Sequence, residues 1–229
     1  MTTVSIIIPV YNEERFIEPV LRKVVSVAQG MEIVVVDDGS ADGTPGILQR
    51  LSRELPIRVV THPRNRGKGA AIHTALSSVR GEIVLIQDAD FEYDPEEYPI
   101  LLKPLQQGRV AVVYGSRFLG SHQAIYFWHR LGNWVITNVV NLLFNASLTD
   151  VETGYKAFRR DVLDGVTLRS RSFDFEVEFT CKLLRAGRAM FEVPISYYGR
   201  TYAEGKKITW RDGVTALATI LRCRLDSSY

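Results

Sequence analysis

Three carboxylates stand at alternate positions in the segment QDADFEYDPEE: Asp88, Asp90 and Glu92. In an extended backbone this spacing turns all three to one side, where they repel one another unless a cation sits among them. Hard oxygen ligands of this kind favour Mg²⁺ or Mn²⁺, normally shared with substrate phosphates. Asp88-Ala89-Asp90 by itself is a short acidic motif that often arises by chance, and the competing reading is a solvated loop. Its position favours the metal, because the motif ends an apolar run (EIVLIQ, 82–87) and two other apolar runs end in polar residues too. The first of these ends in Pro9-Val10-Tyr11-Asn12-Glu13 and the second in Asp37-Asp38-Gly39-Ser40. A nucleotide lying across the three ends could have its base and ribose met by Tyr11, Glu13 and Asp38, with its phosphates toward Asp88 and Asp90.

Cations that could complete such a site are scattered along the chain. Lys68, in RNRGKGAAI, opens a helical segment after glycines, so that backbone N–H groups and the ammonium could contact a phosphate; a plain glycine turn with a surface lysine reads equally well. The GKG sequence is not a phosphate-binding P-loop, because the GxxxxGK[ST] spacing is missing, and there is no GxGxxG for a dinucleotide. GRTYAEGKKITW (199–210) carries Arg200, Lys206 and Lys207 and could close over a diphosphate as it leaves, although taken alone it is an ordinary solvated loop. The stretch from Ser116-Arg117 through Phe127-Trp128-His129-Arg130 to Phe144 mixes aromatics, cations and an apolar helix. Such a mixture can lie in a membrane interface and hold an anionic lipid head, or it can be a core helix with surface arginines. The final helix puts Val214, Leu217, Ala218, Leu221 and Leu225 on one stripe, which reads as a packed surface helix.

The elements that must position these groups are legible from the apolar pattern. VSIIIPV (4–10), EIVVVDD (32–38), IRVVTH (57–62), EIVLIQDAD (82–90) and RVAVVYGS (109–116) read as strands buried on both faces. Between them run helical segments: one carries Phe16, Ile17, Val20, Leu21, Val24 and Val25 at helical spacing, one starts at Pro45, one spans 68–79, and one opens on Asp94-Pro95-Glu96-Glu97 with a capping acid. Strand and helix in alternation predict an α/β fold, a single mostly parallel sheet flanked by helices and joined by right-handed crossovers. Ligands of such sheets bind beyond the carboxyl ends of the strands. From about residue 117 the chain changes character, with more Arg and aromatic residues and one late strand, MFEVPISY (190–197). The expectation is one domain over 1–229, with a nucleotide-facing half (1–116) and a substrate-facing half (117–229).

Composition narrows the class. The chain has 229 residues, 46% of them hydrophobic and 24% charged, enough for a real core. A net charge of +2 without a clustered basic face argues against nucleic acid as a partner. Cys181 and Cys223 lie far apart in sequence, which speaks against a zinc site or a disulfide framework and for a reducing compartment. No basic and apolar leader opens the chain, and no apolar run approaches the ~18 residues of a bilayer span; the expectation is a protein that is soluble or lies on a membrane without crossing it.

Taken together, IIIPVYNEE, VVVDDGSADGT, QDADFEYDPEE, YGSRF, TDVETGYKAFRR and GRTYAEGKKI resemble, in order and over nearly the whole chain, the family-2 glycosyltransferases of GT-A fold, and among them the polyprenyl-phosphate (dolichyl-phosphate) mannose and glucose synthases. The resemblance implies an inverting, metal-dependent hexosyl transfer from GDP-mannose or UDP-glucose to a polyprenyl phosphate at the cytoplasmic face of a membrane, the protein associating peripherally. It implies that Tyr11, Glu13 and Asp38 contact the nucleoside, with Pro9 shaping the turn. Lys68, Asp88, Ala89 and Asp90 would serve the donor, Asp90 and Glu92 the Mg²⁺ or Mn²⁺, Arg117 and Arg130 the acceptor phosphate, and Arg200 and Lys206 the donor diphosphate. Asp88, Asp90 and Arg117 would then be the catalytic residues. A phosphate acceptor, with a second pKa of about 6, is largely dianionic at neutral pH and can attack without a base. A sugar hydroxyl, as in cell-wall or polysaccharide synthesis, would need one, and Asp150 or Glu152 in TDVETGYK is placed for it.

Overall fold

The structure is a computed structural model and describes residues 2–123, 126–200 and 210–225. Its strands are β1 (Val4–Val10), β2 (Glu32–Asp37), β3 (Arg58–Thr61), β4 (Ile83–Ile86), β5 (Val112–Ser116), β6 (Lys156–Arg159) and β7 (Phe191–Pro194). They form one seven-stranded sheet in the order β3-β2-β1-β4-β6-β5-β7. Every neighbouring pair is parallel except those of β6, which runs antiparallel to both β4 and β5. The helices are α1 (Ile17–Val27), α2 (Thr44–Glu54), α3 (Lys68–Leu76), α4 (Tyr98–Gln106), α5 (Phe127–Phe144), α6 (Phe175–Arg185) and α7 (Trp210–Leu225).

The unbroken apolar runs are explained by a sheet covered on both sides. Successive residues of a strand point to opposite faces, and in β1 Ile6 and Ile8 join one buried cluster while Ile7 joins another. On the first face they meet Val20, Leu21 and Val24 of α1, Leu48 and Leu51 of α2, and Leu101 and Leu105 of α4. On the second, Ala71, Ile72 and Ala75 of α3 pack beside Phe175, Phe179 and Leu183 of α6. The other face of α6, with Val177 and Cys181, supports α5 and α7 through Ile136, Val140, Ala216, Ile220 and Cys223. Among the described residues no helix is long and apolar enough to cross a membrane.

Three expectations need correction. The second half contributes two strands, not one. The unforeseen β6 is only four residues long and begins with a lysine, so its apolar signal is too short to see; wedged between β4 and β5, it makes the sheet mixed. The fourth strand stops at Ile86, before the acids, and the backbone bends through 89–93. The alternation rule for an extended segment therefore does not apply to Asp88, Asp90 and Glu92. Finally, α7 packs through Ala216, Thr219, Ile220 and Cys223, which leaves Val214, Leu221 and Leu225 of the anticipated stripe facing solvent.

Candidate active site at the carboxyl edge of the sheet

The loops after β1, β2 and β4 meet because their strands are parallel neighbours in register, Val10 lying opposite Asp37 and Ile7 opposite Ile86. The first two loops are stitched together. Asn12, held at φ 49°, donates its backbone N–H to Ser40 Oγ (2.9 Å) and accepts Ala41 N–H at its side-chain oxygen (2.8 Å), while Glu13 N–H reaches Thr44 Oγ1 (2.9 Å). Asparagine tolerates this left-handed conformation better than most residues. These bonds hold the turn of Pro9, Tyr11 and Glu13 against the Asp37-Asp38 turn.

Asp38 is buried and heavily engaged: Oδ1 lies 2.6 Å from His62 Nδ1, and the two carboxylate oxygens together accept the backbone N–H groups of Arg66 and Gly67. The far nitrogen of His62 lies 2.8 Å from Thr74 Oγ1. Asp37 is as deeply buried but less engaged. Its Oδ1 accepts Ser40 N–H (3.0 Å), and its buried Oδ2 has no hydrogen-bond partner among the described residues.

The acidic cluster divides between two cations. Asp88 pairs with Lys68 (2.7 Å), whose ammonium also meets Glu176 of α6 (2.8 Å). Burial works against the charge on Lys68, but the two carboxylates outweigh it and raise its pKa. Asp90 and Glu92 turn instead to Arg200, whose Nη2 lies 2.5 Å from Asp90 Oδ2 and whose backbone N–H reaches Glu92 Oε1 (2.9 Å). The same guanidinium extends to Glu13 Oε2 (3.2 Å), tying the β1 loop to the β4 loop. Burial, then the charges of Glu92 and Asp88, push Asp90 up to about 7 against the pull of Arg200. Among the described residues the carboxylates of the cluster outnumber its cations, Lys68 and Arg200, an imbalance that a divalent ion would offset. No three His, Cys, Asp or Glu side chains among the described residues converge tightly enough to cage an ion alone. Asp90 and Glu92 would supply two oxygens, and phosphates of a bound donor the others, as Mg²⁺ sites commonly do.

The glycines around Lys68 now have a structural reason. Gly67 sits at φ 97° with the backbone of Arg171 where a Cβ would be. Ala70 N–H is bonded to Arg171 carbonyl oxygen (3.0 Å), and the N–H groups of Arg66 and Gly67 are taken by Asp38. These donors at the start of α3 are therefore satisfied within the protein, and the side chain of Lys68 is the cation that this turn delivers to the cluster.

Arg117 follows β5 and is buried against Asp150. Its Nε and Nη2 bind the two carboxylate oxygens at 2.7 Å each, and its backbone N–H donates to Asp150 Oδ2 (3.0 Å). Asn133 of α5 lies 3.4 Å from Nη2, and Nη1 has no hydrogen-bond partner among the described residues. Arg130, exposed on α5, approaches the same region: both guanidinium carbons lie within 6.0 Å of the Phe118 ring centroid. Tyr197 joins this arginine to the acidic cluster, its ring 5.3 Å from Arg117 and its hydroxyl donating to Glu92 Oε2 (3.0 Å). The segment carrying Asp150 is clamped from two sides. Glu192 of β7 accepts the N–H groups of Thr149 and Asp150, and the buried ammonium of Lys156 donates to the carbonyls of Val151 and Thr153. Glu152, in the same segment, is pushed up to about 7 by burial, with Arg117 drawing it back.

Of the residues singled out from sequence, the structure brings Glu13, Asp90, Glu92 and Arg200 into one cluster and Lys68 and Asp88 into another beside it. Ala89 is buried between Asp88 and Asp90. Arg117 and Arg130 both approach the Phe118 ring, and Tyr197 links Arg117 to the acidic cluster. Lys206 and Lys207 lie outside the described residues. His62, Glu176, Glu192 and Tyr197 carry no local motif that marks them, and Gly154 lies in TDVETGYK without a role that the sequence assigns. Gly154 admits the Asp88 carboxylate where any side chain would collide with it.

The mixed α/β sheet, with acids and basic groups gathered at its carboxyl edge, has a fold that solved structures share. Glucosyl-3-phosphoglycerate synthase from Mycobacterium tuberculosis superposes with a TM-score of 0.76 at 22% identity, over 99% of this chain and 82% of its own. A second structure of that enzyme, holding Mn²⁺, uridine diphosphate and glucosyl-3-phosphoglycerate, gives 0.75. Residues 5–167 match the family described as Glycosyl transferase family 2, and the chain belongs to that family: it is a glycosyltransferase. Dolichol-phosphate mannosyltransferase of Pyrococcus furiosus is 29% identical over 89% of this chain, which spans 58% of that relative's length. Polyprenol monophosphomannose synthase of Mycolicibacterium smegmatis is 32% identical over 88% of this chain and 79% of its own.

Proposed function

We propose that this glycosyltransferase moves a hexose, mannose or glucose, from GDP-mannose or UDP-glucose to a polyprenyl phosphate, with inversion, while associated peripherally with the cytoplasmic face of a membrane. The names of the relatives support a prenyl-phosphate acceptor. The observation that carries the reading is the state of Arg117 and Asp150. Asp150 is fully committed to Arg117 and is not free to act as a base, whereas Arg117 keeps Nη1 unpaired among the described residues, and Arg130 approaches the same Phe118 ring, so both guanidinium groups are available to a phosphate acceptor. A dianionic phosphate needs no proton removed before it attacks.

Within this reading Pro9, Tyr11, Glu13, Asp37 and Asp38 form the nucleoside side of the site. Asp90 and Glu92 hold Mg²⁺ or Mn²⁺, which supplies Lewis-acid stabilisation to the leaving diphosphate when bound. Lys68 positions Asp88 and adds positive charge beside the phosphates. Arg200, and Lys206 after it, neutralise the diphosphate as it departs. Arg117 and Arg130 orient the acceptor phosphate for attack on the anomeric carbon opposite the leaving group.

Transfer of labelled sugar from each donor to a short polyprenyl phosphate, with Mn²⁺, tests the proposal; transfer only to a soluble sugar hydroxyl would overturn it. One observation favours that second reading, namely the poise of Glu152 near neutrality, as a general base for a hydroxyl would need. Glu152→Gln separates the two: it abolishes transfer to a hydroxyl and spares transfer to a phosphate.

A further inference from the structure

One face of α3, with Ala71, Ile72 and Ala75, packs into the core. Along its other face, between His73, Thr74 and the segment 168–171, runs a groove of about 430 Å³. None of the residues lining it belongs to the acidic cluster or to the surroundings of Arg117. A volume of this order is that of a small-molecule site. Three arginines line the groove, Arg66, Arg169 and Arg171, and no Asp or Glu does. The side chains of Arg66 and Arg171 have no hydrogen-bond or ion-pair partner among the described residues. Exposed arginines elsewhere on the chain, Arg22, Arg50, Arg58 and Arg159, meet carboxylates. Like charges gathered without a carboxylate repel one another until an anion sits among them, and the planar guanidinium fork matches the oxygens of a phosphate.

The groove is held in shape from behind. His73 Nε2 donates to the carbonyl oxygen of Ser170 (3.0 Å), and Ala70 N–H to that of Arg171 (3.0 Å). Gly67 and Gly69 let the two walls approach, since a Cβ on either would collide with the backbone of 170–171. Buried Glu178 fixes the far wall by accepting the N–H groups of Arg169 (2.8 Å) and Ser170 (2.7 Å). The arginines are therefore mounted on backbone that is already ordered, and a ligand has only their side chains left to immobilise.

We propose that this groove binds a soluble anion carrying more than one phosphate group, as a second site coupled to the nucleoside side of the active site. The coupling, though not the groove itself, rests on the assignment of Asp38 to the nucleoside. Two connections carry it. The backbone N–H groups of Arg66 and Gly67 hold the Asp38 carboxylate, so an anion that fixes Arg66 also fixes these donors. Thr74, in the wall of the groove, lies 2.8 Å from His62 Nε2, and the other nitrogen of that ring lies 2.6 Å from Asp38 Oδ1. An occupied groove thus holds Asp38 ready and tightens nucleoside binding, and by linkage a bound nucleoside tightens the anion by the same factor. Lys68, two residues after Arg66, turns the other way to Asp88, so one short segment serves both sites.

Calorimetric titration of the full chain with inorganic diphosphate, without divalent metal, tests the proposal. Diphosphate should bind, and Arg66→Ala or Arg171→Ala should each weaken it about tenfold, whereas Arg200→Ala, at the acidic cluster, should leave it unchanged. Titrations with GDP and UDP then separate the groove from the donor site. Diphosphate in the groove should tighten the nucleotide that binds about fivefold in the parent and not in Arg171→Ala. Diphosphate competing at the donor site would weaken that nucleotide in both. Without diphosphate, Arg171→Ala should keep the parent's nucleotide affinity and melting temperature, which shows that it folds. Absence of diphosphate binding overturns the proposal, as does binding insensitive to Arg66 and Arg171, or a weakened nucleotide. Displacement of diphosphate by vesicles of phosphatidic acid would put the phosphate on a lipid and overturn the soluble ligand. If diphosphate binds through both arginines but Asp38→Asn leaves nucleotide affinity unchanged, the nucleoside assignment falls with the coupling and the groove stands. If the nucleotide needs Asp38 and diphosphate does not bind, the groove fails and the nucleoside assignment stands.

Discussion

Replacing Asp150 by Asn should unfold the acceptor side of the site before it affects any proton transfer. In the folded protein the carboxylate is fully buried and takes three hydrogen bonds from Arg117, while Glu192 holds its backbone N–H. Burial opposes the charge on Arg117, but Asp150 more than compensates and keeps the guanidinium protonated. Asparagine keeps the shape but removes the compensating charge, which leaves a buried cation unpaired. Breaking a buried pair from one side costs about 3–5 kcal/mol, and in a chain of this size that lowers the melting temperature by roughly 6–20 °C. Urea unfolding measures the loss, and steady-state kinetics should show a raised KM for the acceptor. Replacing both partners by apolar residues, Arg117→Met with Asp150→Leu, should recover most of the stability without restoring transfer, because a hydrophobic replacement of a whole buried pair is often neutral. A loss of under about 1 kcal/mol in Asp150→Asn, with kcat reduced and KM unchanged, would refute this reasoning and return Asp150 to the role of base.

Glu152 has a folded pKa of about 7, above its unfolded value, because burial disfavours its charge. The native state keeps a proton that the unfolded chain has already released, so this stabilising contribution is complete below about pH 4.5 and lost as pH rises through about 7. Glu152→Gln should flatten that slope in urea-derived stability and exceed the parent at about pH 8 by up to about 3 kcal/mol. Gly154→Ala would drive a methyl group into the Asp88 carboxylate; a displacement of that size should lower kcat/KM by roughly 100-fold with the circular dichroism spectrum unchanged. Arg200→Ala should tighten Mn²⁺ binding roughly tenfold in the absence of nucleotide, since it removes a cation bonded to Asp90, yet weaken binding of the nucleoside diphosphate. Paramagnetic resonance titration of Mn²⁺ checks the first effect and calorimetry the second.

Local chemistry made much of this protein legible from sequence. Ile6, Ile7 and Ile8 in succession require a strand covered on both faces, and several such runs alternating with amphipathic helices leave few alternatives to a sandwiched, mostly parallel sheet. That topology aligns the ends of β1, β2 and β4, so Tyr11, Asp38 and Asp88 belong to one edge before any coordinate is known. What depends on residues distant in the chain was not legible. Nothing near Asp88 signals that Lys68 and Glu176 will share its charge, and nothing near Asp90 signals that Arg200, 110 positions later, will lie against it. The short β6 and the burial of Lys156 are likewise products of packing between segments. The same holds for α7, whose stripe implied a packed face, while tertiary contacts chose the opposite side and left tryptophan and leucine to the solvent. The sequence by itself determined the class of fold, the edge that carries the site and the kinds of groups gathered there. Only the tertiary structure decided which charges pair and which carboxylate is spent on Arg117. Those choices depend on distances and desolvation across elements that local pattern does not encode.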